Sequence, residues 1–425
     1  MKILHTSDWH LGVSADQAPR REEHKKFIDW IIDYINEHNI EVLVHAGDTF
    51  HHMQPSARAL TLYYEFLARC STETKLKQMI VTGGNHDSPS RIDAPSSILE
   101  ALNIHVIGGL LGDESTWDRC LCPVYADDGH VEAVILAVPY IHESRLGVHS
   151  IGLTPREVRD SMIDKFSHLY SKMADLAEKA YPDVPLIATG HLTCYPDGVG
   201  EVEGAYYTPI HLIESLGSLP PKIFDPRYSY VALGHIHQKI EIPAANAWYP
   251  GSPVPTDVTE ARTPRHILVV DVDPEKPRAF AQVTEVEVPN WRSVFEISGS
   301  IDEIFEKTKI LEWDQDLIPY LYLNAEVEAP MPDAMQRLDE VLDTFDKGKR
   351  PRVVRYKETL TSLTNLTGED PSIFKHIPLN DLSPAEVFER MYVLKHGQPP
   401  TDSIMTAFAT LLVDDDERED DNTAA

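Results

Sequence analysis

Short apolar runs recur along the first 233 residues of the chain, and each ends at a glycine or a polar residue. They cover residues 2–6, 41–46, 78–82, 131–138, 185–189 and 228–233. Runs that are apolar at nearly every position are typical of strands buried on both faces. We therefore predict a strand at each.

Between these runs, apolar residues recur at spacings of three and four, which indicates amphipathic helices. The pattern is clear around residues 27–35, 60–67 and 162–173. Strands that alternate with helices predict an α/β fold in which the loops after the strands share one rim.

From residue 248 to 288 the pattern changes to strand-like segments with little helix, RHILVVDV and FAQVTEVEV among them. We interpret them as a second sheet that completes a first domain of residues 1–288. Pro289 then marks a boundary, and residues 289–380 predict a smaller α+β domain of ordinary size. Residues 381–413 predict a helical segment that could bind a partner. Residues 414–425 form an acidic tail with too few apolar groups to fold.

The composition is that of a globular protein, with 425 residues, 42% hydrophobic and 25% charged. This length predicts two or three domains. The chain shows neither a leader pattern at its start nor an apolar run long enough to span a bilayer, so we expect a cytoplasmic protein without a membrane. Four cysteines are too few for a disulfide framework and are interpreted as reduced thiols.

Net charge is strongly negative, since 38 Lys and Arg face 68 Asp and Glu, giving −30. An acidic surface repels phosphates, so this balance argues against a polyanionic substrate. Part of the charge is confined to the tail, however, and bound divalent cations would invert the field locally.

Five polar clusters follow the predicted strands. Their members with metal-binding or acid–base groups are Asp8, His10, Asp48, Asn85, His86, His191, His235 and His237. The carboxyl ends of strands in an α/β sheet meet in one crevice, so these residues can converge there. Nitrogen and oxygen donors without thiolate suit two manganese ions, with Mg²⁺ or another divalent ion as alternatives.

Two of these residues have distinct predicted roles. Asp48 can bridge the ions, at the separation that stabilises both the attacking and the leaving oxygen of a phosphoryl group. His86, followed by Asp87 as a group that could orient or charge it, is assigned as the general acid. The nucleophile would be a water activated by the metal.

The order of the motifs resembles that of the calcineurin-like metallophosphoesterases. The chain carries MKILHTSDWHLG, AGDTF, GGNHDSPSR, YVALGHIH and WYPGSPVPTDVTE. The resemblance implies a four-layer sandwich, in which two mixed β-sheets are flanked by helices. It also implies a smaller α+β capping domain that lies beside the active site and contacts DNA.

The same resemblance implies a ligand set and a function. Asp8, His10, Asp48 and His237 would bind one manganese, and Asp48, Asn85, His191 and His235 would bind the other. The chain would be a DNA exonuclease and a single-strand and hairpin endonuclease acting at double-strand ends, in DNA repair, recombination and replication. Its partner would be a coiled-coil ATPase held by the C-terminal helices, with a homodimer of this chain inside a heterotetramer at the nucleoid. His51 and His52 depart from the family pattern and are left unassigned.

Basic residues cluster densely in only one stretch, which could contact DNA phosphates. Its members are Lys347, Lys349, Arg350, Arg352, Arg355 and Lys357. A solvated loop explains such a cluster equally well. Arg20, Arg21, Lys25 and Lys26 form a weaker second candidate near the rim of the site.

Two other functions are compatible with these motifs. One is a phosphatase or phosphodiesterase for a small substrate, although this chain lacks the Gly-Asp-x-x-Asp-Arg-Gly motif of the protein phosphatases. The other is a scaffold without catalysis that recruits an ATPase. Lost ligands would mark such a scaffold, and every expected position is filled here.

Overall fold

The structure is a computed structural model, and it describes most of the chain. The described residues are 1–15, 18–110, 113–147, 154–196, 218–327, 331–346 and 348–360, with 388, 392, 399–401, 404 and 405. Most of the predicted helical segment 381–413, the acidic tail 414–425 and Lys347 lie outside them.

The β-strands are β1 (Lys2–Thr6), β2 (Ser14–Ala15), β3 (Ala18–Pro19), β4 (Val42–Ala46), β5 (Gln78–Thr82), β6 (Ile104–Ile107), β7 (Leu121–Tyr125), β8 (Val131–Leu136), β9 (Leu186–His191), β10 (Tyr228–Gly234), β11 (Ile240–Ile242), β12 (Ala247–Tyr249), β13 (Arg265–Asp271), β14 (Gln282–Val288), β15 (Arg292–Ser300), β16 (Leu317–Val327) and β17 (Arg352–Leu360). The helices are α1 (Arg21–His38), α2 (Ala57–Glu73), α3 (Pro89–Asp93), α4 (Ser96–Glu100), α5 (Pro155–Ala180), α6 (Ile301–Lys309) and α7 (Ala334–Leu342).

The chain divides into two compact units. The first contains Met1–Phe295, Glu312–Tyr322 and Gly348–Arg355, and the second contains Glu296–Leu311, Leu323–Lys347 and Tyr356–Ala425. Two six-stranded sheets lie in the first unit, in the orders β14-β13-β1-β4-β5-β6 and β11-β12-β10-β9-β8-β7. Both sheets are mixed, because parallel strands carry antiparallel strands at one edge of the first sheet and at both edges of the second.

The period-2 alternation of the strands places one core on each face of the first sheet. In β4, Val42 and Val44 pack toward the second sheet, in a core that also contains α5, whereas Leu43 packs toward α1 and α2. Each sheet therefore buries both of its faces. The four layers are α1 with α2, the first sheet, the second sheet and α5. The predicted α/β sandwich with two mixed sheets is confirmed.

All six strands predicted within residues 2–233 are present, but the interpretation of residues 248–288 was wrong. These residues do not build the second sheet. β13 pairs with β1 and β14 pairs with β13, so both extend the first sheet, and only the short β12 joins the second. Most of the second sheet comes from β7 to β10 instead. Periodicity shows which face of a strand is buried, and it does not show which strand lies beside it.

A third sheet has the order β15-β16-β17. In the second unit, α6 starts at Ser300, whose side chain accepts from the backbone N–H of Glu303 while the Glu303 carboxylate accepts from the Ser300 backbone N–H. This capping box explains why the helix begins there.

Among the described residues, no helix is long and apolar enough to cross a membrane. All four cysteines are buried free thiols.

Candidate metal centre

The predicted site residues follow five strands of the two sheets. β1, β4 and β5 run parallel in the first sheet, and β9 and β10 run parallel in the second, so the carboxyl ends within each group lie at one edge. The structure brings all seven predicted ligands together. They are Asp8, His10, Asp48, Asn85, His191, His235 and His237. Their roles as ligands stay predictions.

Asp8, His10 and His237 form one half of this centre. One donor atom from each lies within 4.8 Å of the other two. The Nε2 atoms of His10 and His237 are 2.9 Å apart, and Nε2 of His10 is 3.5 Å from Oδ2 of Asp48. The backbone N–H of His235 donates to Asp8 Oδ1 at 2.9 Å, which holds this carboxylate in place.

Asp48, Asn85, His191 and His235 form the other half. Oδ2 of Asp48 lies 3.4 Å from Nε2 of His191. Oδ1 of Asn85 lies 3.0 Å from Nε2 of His191 and 3.0 Å from Nδ1 of His235. Asp48 therefore touches both halves, as expected of a bridging carboxylate.

The hydrogen bonds behind the histidines indicate that this donor set fits a cation. Nδ1 of His191 donates to the Ala46 carbonyl at 2.9 Å, and Nδ1 of His237 donates to Glu260 Oε1 at 2.7 Å. In the neutral rings Nε2 is then an acceptor. Acceptor atoms of histidine, carboxylate and amide thus face one another, an arrangement that a proton or a metal ion satisfies.

The pKa values show the same demand for positive charge. Burial lowers the pKa of His191, yet the Asp48 carboxylate outweighs it and raises that pKa to about 9. For His237, burial is likewise outweighed by Glu260, and the pKa rises to about 9. Burial raises the pKa of Asp48, but His191 and His10 hold it well below its usual value. Metal ions would replace these protons, because ligands bind metals in their deprotonated forms.

The backbone of the site is strained. Eight non-glycine residues in the described part of the chain have positive φ, and four of them are Asp8 (54°), His10 (46°), Asp48 (54°) and His235 (99°). Residues held in such regions cluster at functional sites, where surrounding contacts fix them.

Two glycines explain why the ligands can approach so closely. A Cβ on Gly84 would lie 2.0 Å from Asp48 Oδ1, and one on Gly47 would lie 2.3 Å from His191 Nδ1. Gly47 also has a φ of +93°, which disfavours any side chain. A side chain at either position would collide with a predicted ligand, so both positions require glycine.

The predicted link between Asp87 and His86 is wrong. The Asp87 carboxylate instead accepts from the backbone N–H groups of Thr49, Phe50 and Gly84, at 3.0, 2.9 and 2.9 Å. It clamps the loop after β4 to the loop after β5. Burial and the charge of Asp48 raise the pKa of Asp87 to about 6.

His86 is oriented by His51. Nδ1 of His86 lies 2.9 Å from the His51 carbonyl, and its ring centroid is 4.9 Å from that of His10. Nitrogen atoms of His10, His51 and His86 also lie within 4.8 Å of one another. His51, left unassigned on sequence, therefore faces the centre.

Glu260 is the clearest residue that the sequence prediction missed. Besides His237, its carboxylate accepts from the Thr256 hydroxyl at 2.9 Å and from the Thr256 backbone N–H at 2.8 Å. Its only sequence signal was its place at the end of the motif WYPGSPVPTDVTE.

The basic candidates differ in exposure. Lys349 and Arg352 are exposed, whereas Arg350 and Arg355 are half-buried, with Arg355 over the Tyr322 ring. In the second candidate group, Lys26 pairs with Asp316 at 2.7 Å. Arg20 is buried, so it is not a surface contact on the rim.

The fold and this donor set define a metal-dependent phosphoesterase. A model of the calcineurin-like phosphoesterase family matches residues 1–239, more than half of the chain, so the chain belongs to that family. A second model, described as the type 5 capsule protein repressor C-terminal domain, matches residues 290–395.

The relatives that match most of the chain are SbcD proteins, each named as a component of the nuclease SbcCD. The Rhodobacter capsulatus protein is 28% identical over 351 residues, 81% of this chain and 85% of that protein. The Escherichia coli K12 protein is 26% identical over 388 residues, 86% and 90% of the two chains. The Bacillus subtilis protein is 31% identical over 293 residues, 67% and 69% of the two chains. The family predicted from the motifs is confirmed.

Proposed function

We propose that this chain is a metal-dependent DNA nuclease that works with an SbcC-type coiled-coil ATPase. The convergence of seven donor residues, with Asp48 in contact with both halves of the centre, carries the proposal, supported by the similarity to the SbcD nuclease proteins. The reaction is hydrolysis of phosphodiester bonds at double-strand ends and hairpins, in DNA repair and recombination.

Two divalent ions, manganese in the first place, fit the centre. Asp8, His10, Asp48 and His237 would hold one, and Asp48, Asn85, His191 and His235 would hold the other. When bound, the ions supply positive charge beside the phosphodiester and favour the ionised form of the attacking water.

His86 gives the proton to the leaving oxygen. Its Nδ1 bond to the His51 carbonyl fixes the ring and leaves Nε2 as the atom that carries the transferred proton. Asp87 contributes indirectly, because it fixes the loop that carries Asp48 relative to the loop that carries Asn85 and His86. Asp8 is fixed in turn by the His235 backbone N–H.

The rest of the chain would serve the substrate and the partner. Residues 1–288 would form the nuclease domain and residues 289–380 a capping domain, with Lys347, Lys349, Arg350, Arg352 and Arg355 near DNA. Residues 381–413 would bind the ATPase, and two copies of this chain would pair within a heterotetramer.

The test is hydrolysis of hairpin, single-stranded and duplex DNA by the purified chain with Mn²⁺, with and without the ATPase partner. We expect cleavage of single strands without the partner and cleavage of duplex ends only with it. The His86→Ala variant should lose about 10²–10⁴-fold in rate, the usual contribution of a general acid, while it still binds Mn²⁺. Unchanged cleavage would remove His86 from the mechanism. Hydrolysis of a cyclic nucleotide but of no DNA would favour the small-substrate function.

A further inference from the structure

A cavity of about 240 Å³ lies in the first unit, next to the candidate metal centre. The buried part of its wall includes Arg20, Arg265 and Arg292, with one buried carboxylate, Glu23. Exposed residues, among them Arg262, form its outer part. In a chain of net charge −30, four arginines around one small cavity are a distinct local feature.

Arg20 is the least satisfied of these groups. It is only 1% exposed, and its Nη1 donates to Glu23 Oε1 at 3.1 Å. Its Nε and Nη2 atoms are buried and make no hydrogen bond to any residue that the structure describes. A guanidinium has five N–H donors, and a buried charged donor without a partner is strongly unfavourable. Arg20 thus lines the cavity, and two of its donor atoms are left unused by the described residues.

The buried charges around Arg20 do not balance. Glu23 also accepts from Arg292, with Nε at 2.7 Å and Nη2 at 3.1 Å, so two guanidinium groups share one buried carboxylate. Glu22 is the other acidic partner of Arg292, and its side chain is 68% exposed, so solvent screens it. The Tyr320 ring lies 5.2 Å from Arg20 and 4.1 Å from Arg292 and offsets part of the charge. Glu287 in the wall is exposed. Within the wall itself, four arginines face two glutamates, Glu23 and Glu287.

Arg265 connects this cavity to the metal centre. Its Nη1 donates to the carbonyl of His237 at 2.9 Å and lies 3.8 Å from Glu260, which holds His237 from the other side. A group bound at Arg20 and Arg265 would therefore sit one residue layer behind a predicted metal ligand.

We propose that this cavity binds a phosphate group of the nucleic-acid strand, as an anion subsite beside the metal centre. A tetrahedral oxyanion accepts from several guanidinium N–H groups at once, and charge-assisted bonds of this kind are the strongest in proteins. The volume is below the range of about 300–1,000 Å³ that encloses a drug-sized ligand, so it suits a small group such as one phosphate. That the phosphate belongs to a nucleic-acid strand rests on the proposed function.

The test uses the full chain stripped of metal with a chelator, because phosphate at the metal centre is then suppressed. Binding of inorganic phosphate and of a short single-stranded oligonucleotide is measured by calorimetry in the wild type, Arg20→Gln and Arg262→Gln. Arg156→Gln is the matched control, since Arg156 is an exposed arginine on α5. We expect Arg20→Gln to weaken both ligands by about 10–100-fold, the value of a charge-assisted bond, and Arg156→Gln to change neither. If Arg20→Gln does not fold, Arg262→Gln, which changes the outer part of the wall, should also weaken the binding of both ligands.

Equal phosphate binding by the wild type and both cavity variants would overturn the proposal. So would weaker binding of inorganic phosphate with unchanged binding of the oligonucleotide, since the site would then take free phosphate only. Manganese-dependent DNA cleavage by the same preparations separates the two proposals. A chain that cleaves DNA but fails the phosphate test refutes the subsite alone, whereas one that passes the phosphate test but cleaves no DNA refutes the nuclease.

Discussion

Glu260 binds no metal in our assignment, yet it fixes the ring of a residue that does. Its Oε1 atom accepts the Nδ1 proton of His237, and the Thr256 backbone N–H and hydroxyl hold the carboxylate. Although burial raises the pKa of Glu260, His237 lowers it to about 2, so the carboxylate stays charged. A charged acceptor behind a histidine makes the ring a stronger ligand.

The Glu260→Gln variant should therefore bind Mn²⁺ about 10–100-fold more weakly at the site that contains His237. The exposed Glu241→Gln variant is the control and should bind as the wild type does. Calorimetric titration of the metal-free chain measures both. If Glu260→Gln kept the affinity of the wild type, Glu260 would have only a structural role.

Gly84 gives a second test, because a side chain at its position would collide with Asp48. A Cβ at this position would lie 2.0 Å from Asp48 Oδ1 and 2.3 Å from the Asp48 backbone nitrogen, so Gly84→Ala must displace Asp48. We expect loss of Mn²⁺ binding and cleavage in a chain that still folds. Gly348→Ala, with no atom within 4 Å of its Cβ, should change neither. Metal titration with circular dichroism checks both variants, and normal metal binding by Gly84→Ala would contradict the geometry.

Seven ligand candidates could be predicted from the sequence because each lies at or just after the end of an apolar strand. The roles of Glu260 and Asp87 could not. Both act through hydrogen bonds between loops that are far apart in sequence, such as Asp87 with Thr49. No local pattern records such a bond, and the position of Asp87 beside His86 pointed to the wrong partner.

Between the two sheets, a hydrogen bond joins β1 to β10. Nδ1 of His5 lies 2.8 Å from the hydroxyl of Tyr230, and both residues are fully buried. Burial lowers the pKa of His5 to about 3, and it lowers that of His45 in the neighbouring strand to about 3 as well. Both side chains are therefore neutral in the folded chain near neutral pH.

The low pKa of His5 predicts loss of stability in mild acid. An unfolded histidine binds a proton near pH 6.5 and folded His5 only near pH 3, so stability falls as the pH decreases between these values. At pH 5 this amounts to about 2 kcal/mol, from 1.36 kcal/mol per pH unit. Urea unfolding of metal-free chain at pH 7.5 and pH 5 should show a smaller loss in His5→Gln than in the wild type. Equal losses would show that His5 is protonated in the folded state.

The faces of the strands could be predicted, whereas their neighbours could not. Residues 2–6 and 41–46 alternate between two cores as their patterns indicate. The pattern at residues 265–288 also showed strands, but β13 and β14 pair beside β1, which is more than 200 residues away in sequence. Such a pairing depends on the path of the whole chain and not on the segment.

Across the whole molecule, the balance of charge and the chemistry of the centre point in opposite directions. The net charge of −30 repels a DNA backbone, while the metal ions and the arginine cavity would attract it. Substrate binding should therefore depend on a few local sites. Removal of the metal by a chelator should weaken the binding of DNA. This loss should exceed the loss caused by the same change in ionic strength without a chelator. A filter-binding assay at matched salt would measure the difference.

The central claim is that two metal ions share Asp48, and it is tested most directly by counting the Mn²⁺ ions that the chain binds. Equilibrium titration followed by electron paramagnetic resonance should give two ions per wild-type chain, and they should be magnetically coupled because ions in two-metal sites lie about 3.5–4 Å apart. In Asp48→Asn we expect both ions to bind more weakly and the coupling to disappear. A single ion in the wild type, or two coupled ions in Asp48→Asn, would contradict the account.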